Sequence, residues 1–231
     1  MMSDLYKGGA YKASNPSWHI EDSPWKAAHI AGMVHKHRLH PQTICEVGCG
    51  AGEVLARLAE AFPQARLSGY EVSPQAFELC QERSSERLRF FLRDLTAEKN
   101  AFFDVLLVID VFEHVEDYFG FLRAIRPRAK SKLFHIPLDL SLLSLLRGRP
   151  ILALRRSVGH IHYFFKDTAL ASLVDCGYRI IDYTYTASRL ELPNLSLAGR
   201  LLKLPRRSLF KIKPDFAVRV LGGYSLLVLA E

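Results

Sequence analysis

Residues 44–55 read ICEVGCGAGEVL, and this stretch most narrows the folds open to the chain. A short apolar run ends in an acid, Gly48, Gly50 and Gly52 follow at alternate positions, and a helical pattern begins at once. Glycine lets a backbone reverse tightly and come close to a ligand, and the first turn of a helix offers unpaired N–H groups. The stretch therefore reads as strand, ligand-holding turn and helix. In an open α/β sheet such a turn lies beyond the carboxyl ends of the strands, where ligands bind.

The rest of the chain repeats the alternation. Strands are predicted at 43–47, 66–72, 88–94, 104–111, 132–137, 178–186 and 223–231. The unbroken apolar run 105–109 suits a parallel strand covered on both faces. Helices are predicted from Ser23, with Ser23 as cap and Pro24 in the first turn, and at 52–62, 74–83, 115–125 and 167–177. Asp167 is the expected N-cap of the last, and Gly177 follows its end. This order predicts an α/β, doubly wound, mainly parallel sheet. Half of the chain, 49%, is hydrophobic over 231 residues, which suits one domain spanning 1–231. Within it, 1–40 reads as an N-terminal lid and helix, and 138–164 and 187–216 as insertions at the mouth of the site.

Charge and cysteine content bound the partners. The net charge of +7 leaves acidic substrates, anionic lipid and RNA open. The charged share of 24% excludes a wholly disordered chain. Cys45, Cys49, Cys80 and Cys176 form no C-x-x-C pair, so reduced cysteines and a cytoplasmic location are expected. The N-terminus lacks the apolar segment of a secretory leader. The apolar stretch 138–146 is too short to span a bilayer.

The acids narrow the ligand. The turn departs from the dinucleotide pattern G-x-G-x-x-G, because Glu53 stands where a third glycine would fall. Glu46 at the strand tip and Glu53 opening the helix disfavour pyrophosphate and favour a ligand carrying positive charge. Glu71, Asp94 and Asp110 stand at the tips of the next three strands. Four such acids describe a ring around a nucleoside with a cationic group.

With these residues in view, the chain resembles the class I S-adenosylmethionine-dependent methyltransferases, in particular small bacterial enzymes acting on small molecules. EVGCGAG is similar to their first motif, GYEVSP (69–74) to the ribose-binding end of strand two, and RDL (93–95) to the adenine-binding end of strand three. IDVFEHVED (109–117), GHIHYF (159–164) and the closing GGYSLLVLAE are also similar to that group. The resemblance covers about residues 20–231, with 187–216 poorly matched. It implies a seven-stranded Rossmann-like sheet with an antiparallel last strand. It implies that Gly48, Cys49, Gly50 and Gly52 hold the methionine part, with Glu46 at its ammonium. Glu71 would take the ribose hydroxyls, Val72 and Leu95 would flank the adenine, Asp94 would accept from its amine, and Asp110 and Val111 would line the methionine side. The implied reaction is in-line displacement of a methyl group onto an O, N or C atom of a small molecule, with a lipid- or quinone-like one as a candidate.

A general base would come from His160, His162 or His114, since imidazole titrates near neutral pH. His160 and His162 could equally serve the fold, His114 reads first as fixing the strand-four loop, and His135, inside strand five, reads as a satisfied core histidine. Trp18, His19, Trp25 and Tyr163 are candidates for a lid or substrate wall. The cluster His35, His37 and His40 lacks a carboxylate or cysteine, so no metal is expected. The basic, leucine-rich segment 196–213 could rest on an anionic membrane; a solvated connection is the plainer reading. Nucleic acid is disfavoured, because DVFEH stands where base-amine methyltransferases carry Asn/Asp-Pro-Pro-aromatic. An RNA-directed enzyme and a non-catalytic S-adenosylmethionine-binding module are the alternatives.

Overall fold

The computed structural model describes Trp18, residues 20–193 and residues 197–231, the last span with side chains from Lys203 onward. Seven strands form one sheet in the order β3-β2-β1-β4-β5-β7-β6. They are β1 (Thr43–Val47), β2 (Arg66–Glu71), β3 (Leu88–Leu92), β4 (Phe103–Ile109), β5 (Ala129–Pro137), β6 (Ile180–Thr186) and β7 (Ser225–Ala230). The first five pair in parallel, and β7 runs antiparallel to both β5 and β6. The order reverses direction between β1 and β4, which places the switch point, and hence the ligand cleft, at the glycine turn.

Alternation along β4 shows why the sheet is covered twice. Val105, Leu107 and Ile109 face one layer, where they meet Ile30 and Val34 of α1 (Ser23–Lys36) and Leu55 and Leu58 of α2 (Glu53–Ala61). Cys80 of α3 (Pro74–Gln81) belongs to the same layer. Leu106 and Val108 face the other, with Leu122 and Ile125 of α4 (Tyr118–Ile125) and Leu173 of α7 (Lys166–Asp175). A strand buried on both faces needs apolar side chains at consecutive positions, which is what the run supplies.

Several helix starts differ from expectation. Asp22, not Ser23, is the N-cap of α1, and its side chain makes no cap bond. The helix expected from 115 begins at Tyr118, because the Asp117 carboxylate accepts from the Gly120 amide at 2.8 Å, while Phe112–His114 form a separate 3-10 turn. Asp167 lies in the first turn of α7 and not at its cap. The Thr168 hydroxyl accepts from the Phe165 amide instead, and Asp167 pairs with Arg219.

The two stretches outside the alternation are helical. Residues 138–164 hold α5 (Leu142–Arg147) and α6 (Arg149–Ser157), and 187–216 hold α8 (Ser188–Glu191), α9 (Leu197–Ile212) and the start of α10 (Pro214–Leu221). Among the described residues, no helix is long and apolar enough to cross a membrane.

Candidate active site

A cavity of about 1000 Å³ opens where the switch point predicts, over the carboxyl ends of the central strands. Its floor is the glycine turn. Gly52, at φ +77°, is the N-cap of α2, and a Cβ there would meet the Phe90 ring at 2.6 Å and Cys80 at 2.8 Å. Gly50, at φ +54°, would meet nothing within 4 Å. The first glycine is required by packing, and the second leaves bare backbone towards the cavity.

Three acids ring this floor. Glu71 is buried, and its carboxylate gathers the loop: Oε2 accepts from Gly50 N, and Oε1 from Val72 N and Ser73 N, each at 2.8 Å. Burial still raises its carboxyl above the ordinary range, against the pull of those amides. Glu46 is 3% exposed, and its Oε2 has no hydrogen-bond partner. Burial pushes the Glu46 carboxyl well up, Lys26 opposes the rise, and Glu71 and Asp110 add to it. Asp110 sits in the left-handed region at φ +53°, a conformation costly outside glycine and often found at functional positions. His135 Nδ1 meets its Oδ1 at 2.6 Å and Lys26 Nζ its Oδ2 at 2.9 Å. Burial alone would raise Asp110, but the two partners hold it well below the carboxylate range. The floor thus carries three acids against one lysine, and one carboxyl oxygen is unsatisfied. A cationic group would supply what is missing there.

The cavity gathers most of the residues singled out from the sequence. Glu46, Gly48, Cys49, Gly50 and Gly52 line it, as do Glu71, Val72, Asp94, Asp110 and Val111. Val72 is exposed and free to face a flat ligand. Asp94 is exposed and accepts from Thr96 N and Thr96 Oγ1. Leu95 does not line the cavity; it is fully buried in the α4 layer of the core. Glu53 reaches the cavity edge, but Arg57 and Arg83 each hold it at 2.8 Å. Its charge is therefore neutralised, and the sequence argument that it repels a phosphate falls away.

Two of the three histidine candidates reach the cavity, His114 and His160. His162 does not: its Nε2 donates to the Val115 carbonyl at 2.9 Å and its ring packs on Tyr118. Tyr163 is likewise absent from the lining, its hydroxyl donating to the His160 carbonyl. Trp18 and Trp25 form one wall, and His19 lies outside the described residues. Trp25 Nε1 donates to Glu191 at 2.6 Å, which ties α1 to α8. His135 is satisfied as expected, with Thr186 on Nε2 at 2.9 Å. Its grip on Asp110 was not legible, because the two residues are 25 apart in sequence. Lys26 and Asp139, which line the cleft, and Glu113, fully buried next to His114, also escaped the sequence reading.

The far wall is apolar with basic points. Leu143, Pro150, Leu154 and Val158 from α5, α6 and the α6 C-cap face the cavity beside Arg147 and Arg189. The cluster at 35–40 disperses: His37 pairs with Asp182 at 2.6 Å, and His35 packs on Phe62. In the basic segment 196–213, part of which lies outside the described side chains, Arg206 is not available to a membrane. It donates to the Gly222 carbonyl, and its guanidinium lies 4.9 Å from the Tyr224 ring centre.

Part of the chain is similar to known methyltransferases. Residues 45–132 match the model of a methyltransferase domain family. A malonyl-[acyl-carrier protein] O-methyltransferase of Hahella chejuensis is 50% identical over 38 residues, 16% of this chain. The match spans only 14% of that protein's own length. The magnesium protoporphyrin IX methyltransferase of Synechocystis, solved with S-adenosylhomocysteine, superposes with a TM-score of 0.61 at 16% identity, covering 90% of this chain and 82% of that one. A plantazolicin methyltransferase, also solved with S-adenosylhomocysteine, gives 0.64 at 14% identity, covering 100% and 93%. At these identities the structural matches speak for the fold.

Proposed function

We propose that this chain is a class I methyltransferase, from the match of residues 45–132 to a methyltransferase domain family and the strand order of its sheet, and that it transfers a methyl group from S-adenosylmethionine to an O, N or C atom of a small-molecule acceptor. The observation that carries the proposal is Glu46, a buried acid with an unpartnered oxygen, set beside Glu71 and Asp110 on a glycine floor. Pyrophosphate would add negative charge to that floor. A ligand with an ammonium and a sulfonium would relieve it.

The residues present fit the donor. Glu46 would take the ammonium. Glu71, already preorganised by three backbone amides, would accept from a ribose hydroxyl on the lone pair left on Oε2. Val72 offers an apolar face to the adenine and Asp94 an acceptor to its amine. Bound there, S-adenosylmethionine supplies an electrophilic methyl group on a sulfonium. Asp110 and its partners Lys26 and His135 fix the strand-four tip beside it. Positioning of this kind accounts for roughly 7–11 kcal/mol in favourable cases.

The acceptor side is the wall of Leu143, Leu154 and Val158 with Arg147, His114 and His160. An acceptor with an apolar body and a polar or anionic group fits that lining, with Trp18 and Trp25 excluding water. We place the enzyme in the cytoplasm, where its four free, buried cysteines stay reduced, and read 1–231 as one unit whose segments 138–164 and 187–216 wall the acceptor. The test is transfer of labelled methyl from S-adenosylmethionine into a panel of extractable hydroxy, amino and carbon acids, with bulk RNA in parallel. Label in the organic fraction supports the reading. Label in RNA alone supports the RNA-directed alternative. S-adenosylmethionine binding with no transfer to either supports a non-catalytic module.

A further inference from the structure

Glu113, His114 and His160 bring one ligand atom each to within 4.8 Å of one another; the two histidines line the cavity, and Glu113 is fully buried. Glu113 is 0% exposed, and neither of its carboxyl oxygens has a hydrogen-bond partner. The nearest basic atom is His114 Nε2, 3.8 Å from Oε1. A buried carboxyl without partners is costly, and the other charges near it, Asp110 and Asp139, are mostly of its own sign.

Both histidines are set up as ligands. His114 Nδ1 faces the Gly159 carbonyl at 3.1 Å, and His160 Nδ1 faces Asp139 Oδ2 at 2.6 Å. Those oxygens only accept, so each Nδ1 donates, and Nε2 is the nitrogen that carries the lone pair in the neutral ring. A carboxylate or carbonyl behind a histidine is the usual support of a metal ligand. Backbone bonds hold the two halves together without using the Glu113 side chain. The amides of Ile161 and His162 both donate to the Glu113 carbonyl, at 2.9 and 3.1 Å.

We propose that Glu113, His114 and His160 bind one divalent transition-metal cation, with its remaining positions open to the acceptor cavity. Two imidazoles and one carboxylate suit Zn²⁺, Fe²⁺ or Mn²⁺, and such a set leaves coordination sites free. The cation neutralises Glu113 where no protein group does so fully. Its proposed use rests on the acceptor reading above: an acceptor oxygen coordinated there loses its proton more readily, so His114 and His160 act on the acceptor through the metal and not as free bases. Binding itself does not depend on that reading.

The test is titration of the tag-free, chelator-stripped full chain with Co²⁺ alone, followed by visible absorption and calorimetry. One ion per chain with ligand-field bands is expected. Glu113→Gln and His160→Gln should each weaken binding at least about a hundredfold, and Asp139→Asn about 10–100-fold. His37→Ala, whose imidazole is engaged with Asp182, should leave it unchanged. Circular dichroism checks folding; if Glu113→Gln does not fold, His160→Gln carries the same expectation alone. Absence of one-to-one binding, or binding indifferent to the ligand variants that fold, overturns the proposal. S-adenosylhomocysteine affinity, measured on the same samples, reports separately on the donor site.

Discussion

Replacing Glu71 by alanine isolates the donor's ribose contact. The carboxylate holds the amides of Gly50, Val72 and Ser73 at 2.8 Å each, and the proposed ligand adds a hydroxyl donor on the lone pair that remains. A hydrogen bond to a charged group contributes about 1.5–3 kcal/mol. Losing that bond costs about 1.5–3 kcal/mol, or roughly 10–10² in Kd at 1.4 kcal/mol per decade. The same change strands three loop amides, so the fold should also lose about 1–3 kcal/mol. Calorimetry with S-adenosylhomocysteine measures the first quantity, and urea unfolding of the ligand-free protein measures the second. The reasoning fails if folded Glu71→Ala binds within about threefold of the parent.

Three further predictions rest on separate contacts. Asp104, 23% exposed, is bonded to Lys130, Gln42 N, Thr43 N and Thr43 Oγ1, with Lys130 the largest influence lowering its carboxyl to about 2. A depressed acid stabilises above its unfolded value and loses that contribution as pH falls through the folded one. The gap between parent and Asp104→Asn, about 1 kcal/mol at neutral pH after solvent screening, should therefore close between about pH 4 and pH 2 in acid-unfolding curves. Gly52→Ala must accept both a left-handed backbone and contact with Phe90 and Cys80; a stability loss of about 1–3 kcal/mol is expected, and a neutral result would mean the turn is looser than described. Arg206→Ala should cost about 1–2 kcal/mol in thermal unfolding through its lost carbonyl bond and ring contact, while sedimentation with anionic vesicles should not change; weaker sedimentation at full stability would restore a membrane role to this residue.

The parts legible in sequence were those set by local pattern. The glycine turn, the alternating strands and the acids at their tips each follow from residues within a few positions of one another, and ten of the eleven cofactor candidates line one cavity. Leu95 failed because an apolar residue beside a polar turn gives no sign of which way it points, and here it enters the core. His162 failed for a related reason. In an extended chain His160 and His162 would share a face, but residues 159–165 form an irregular loop, so only His160 meets the cavity, and no periodicity in the sequence says which. Helix starts shifted wherever a neighbouring side chain, Asp117 or Thr168, won the exposed amides. Lys26, Glu113, Asp139 and the His135–Asp110 pair depend on contacts between distant segments, and no local rule encodes them.

The central claim is that the glycine floor and its acids hold an adenosyl ligand with a cationic tail. Thermal unfolding with S-adenosylmethionine, S-adenosylhomocysteine and NAD, each in large excess, tests it most directly. A ligand at about a hundred times its Kd adds roughly 2.7 kcal/mol to the folded state. The account predicts a clear rise in Tm with both adenosyl compounds and none with NAD. A rise with NAD alone, or none with either adenosyl compound, would contradict it.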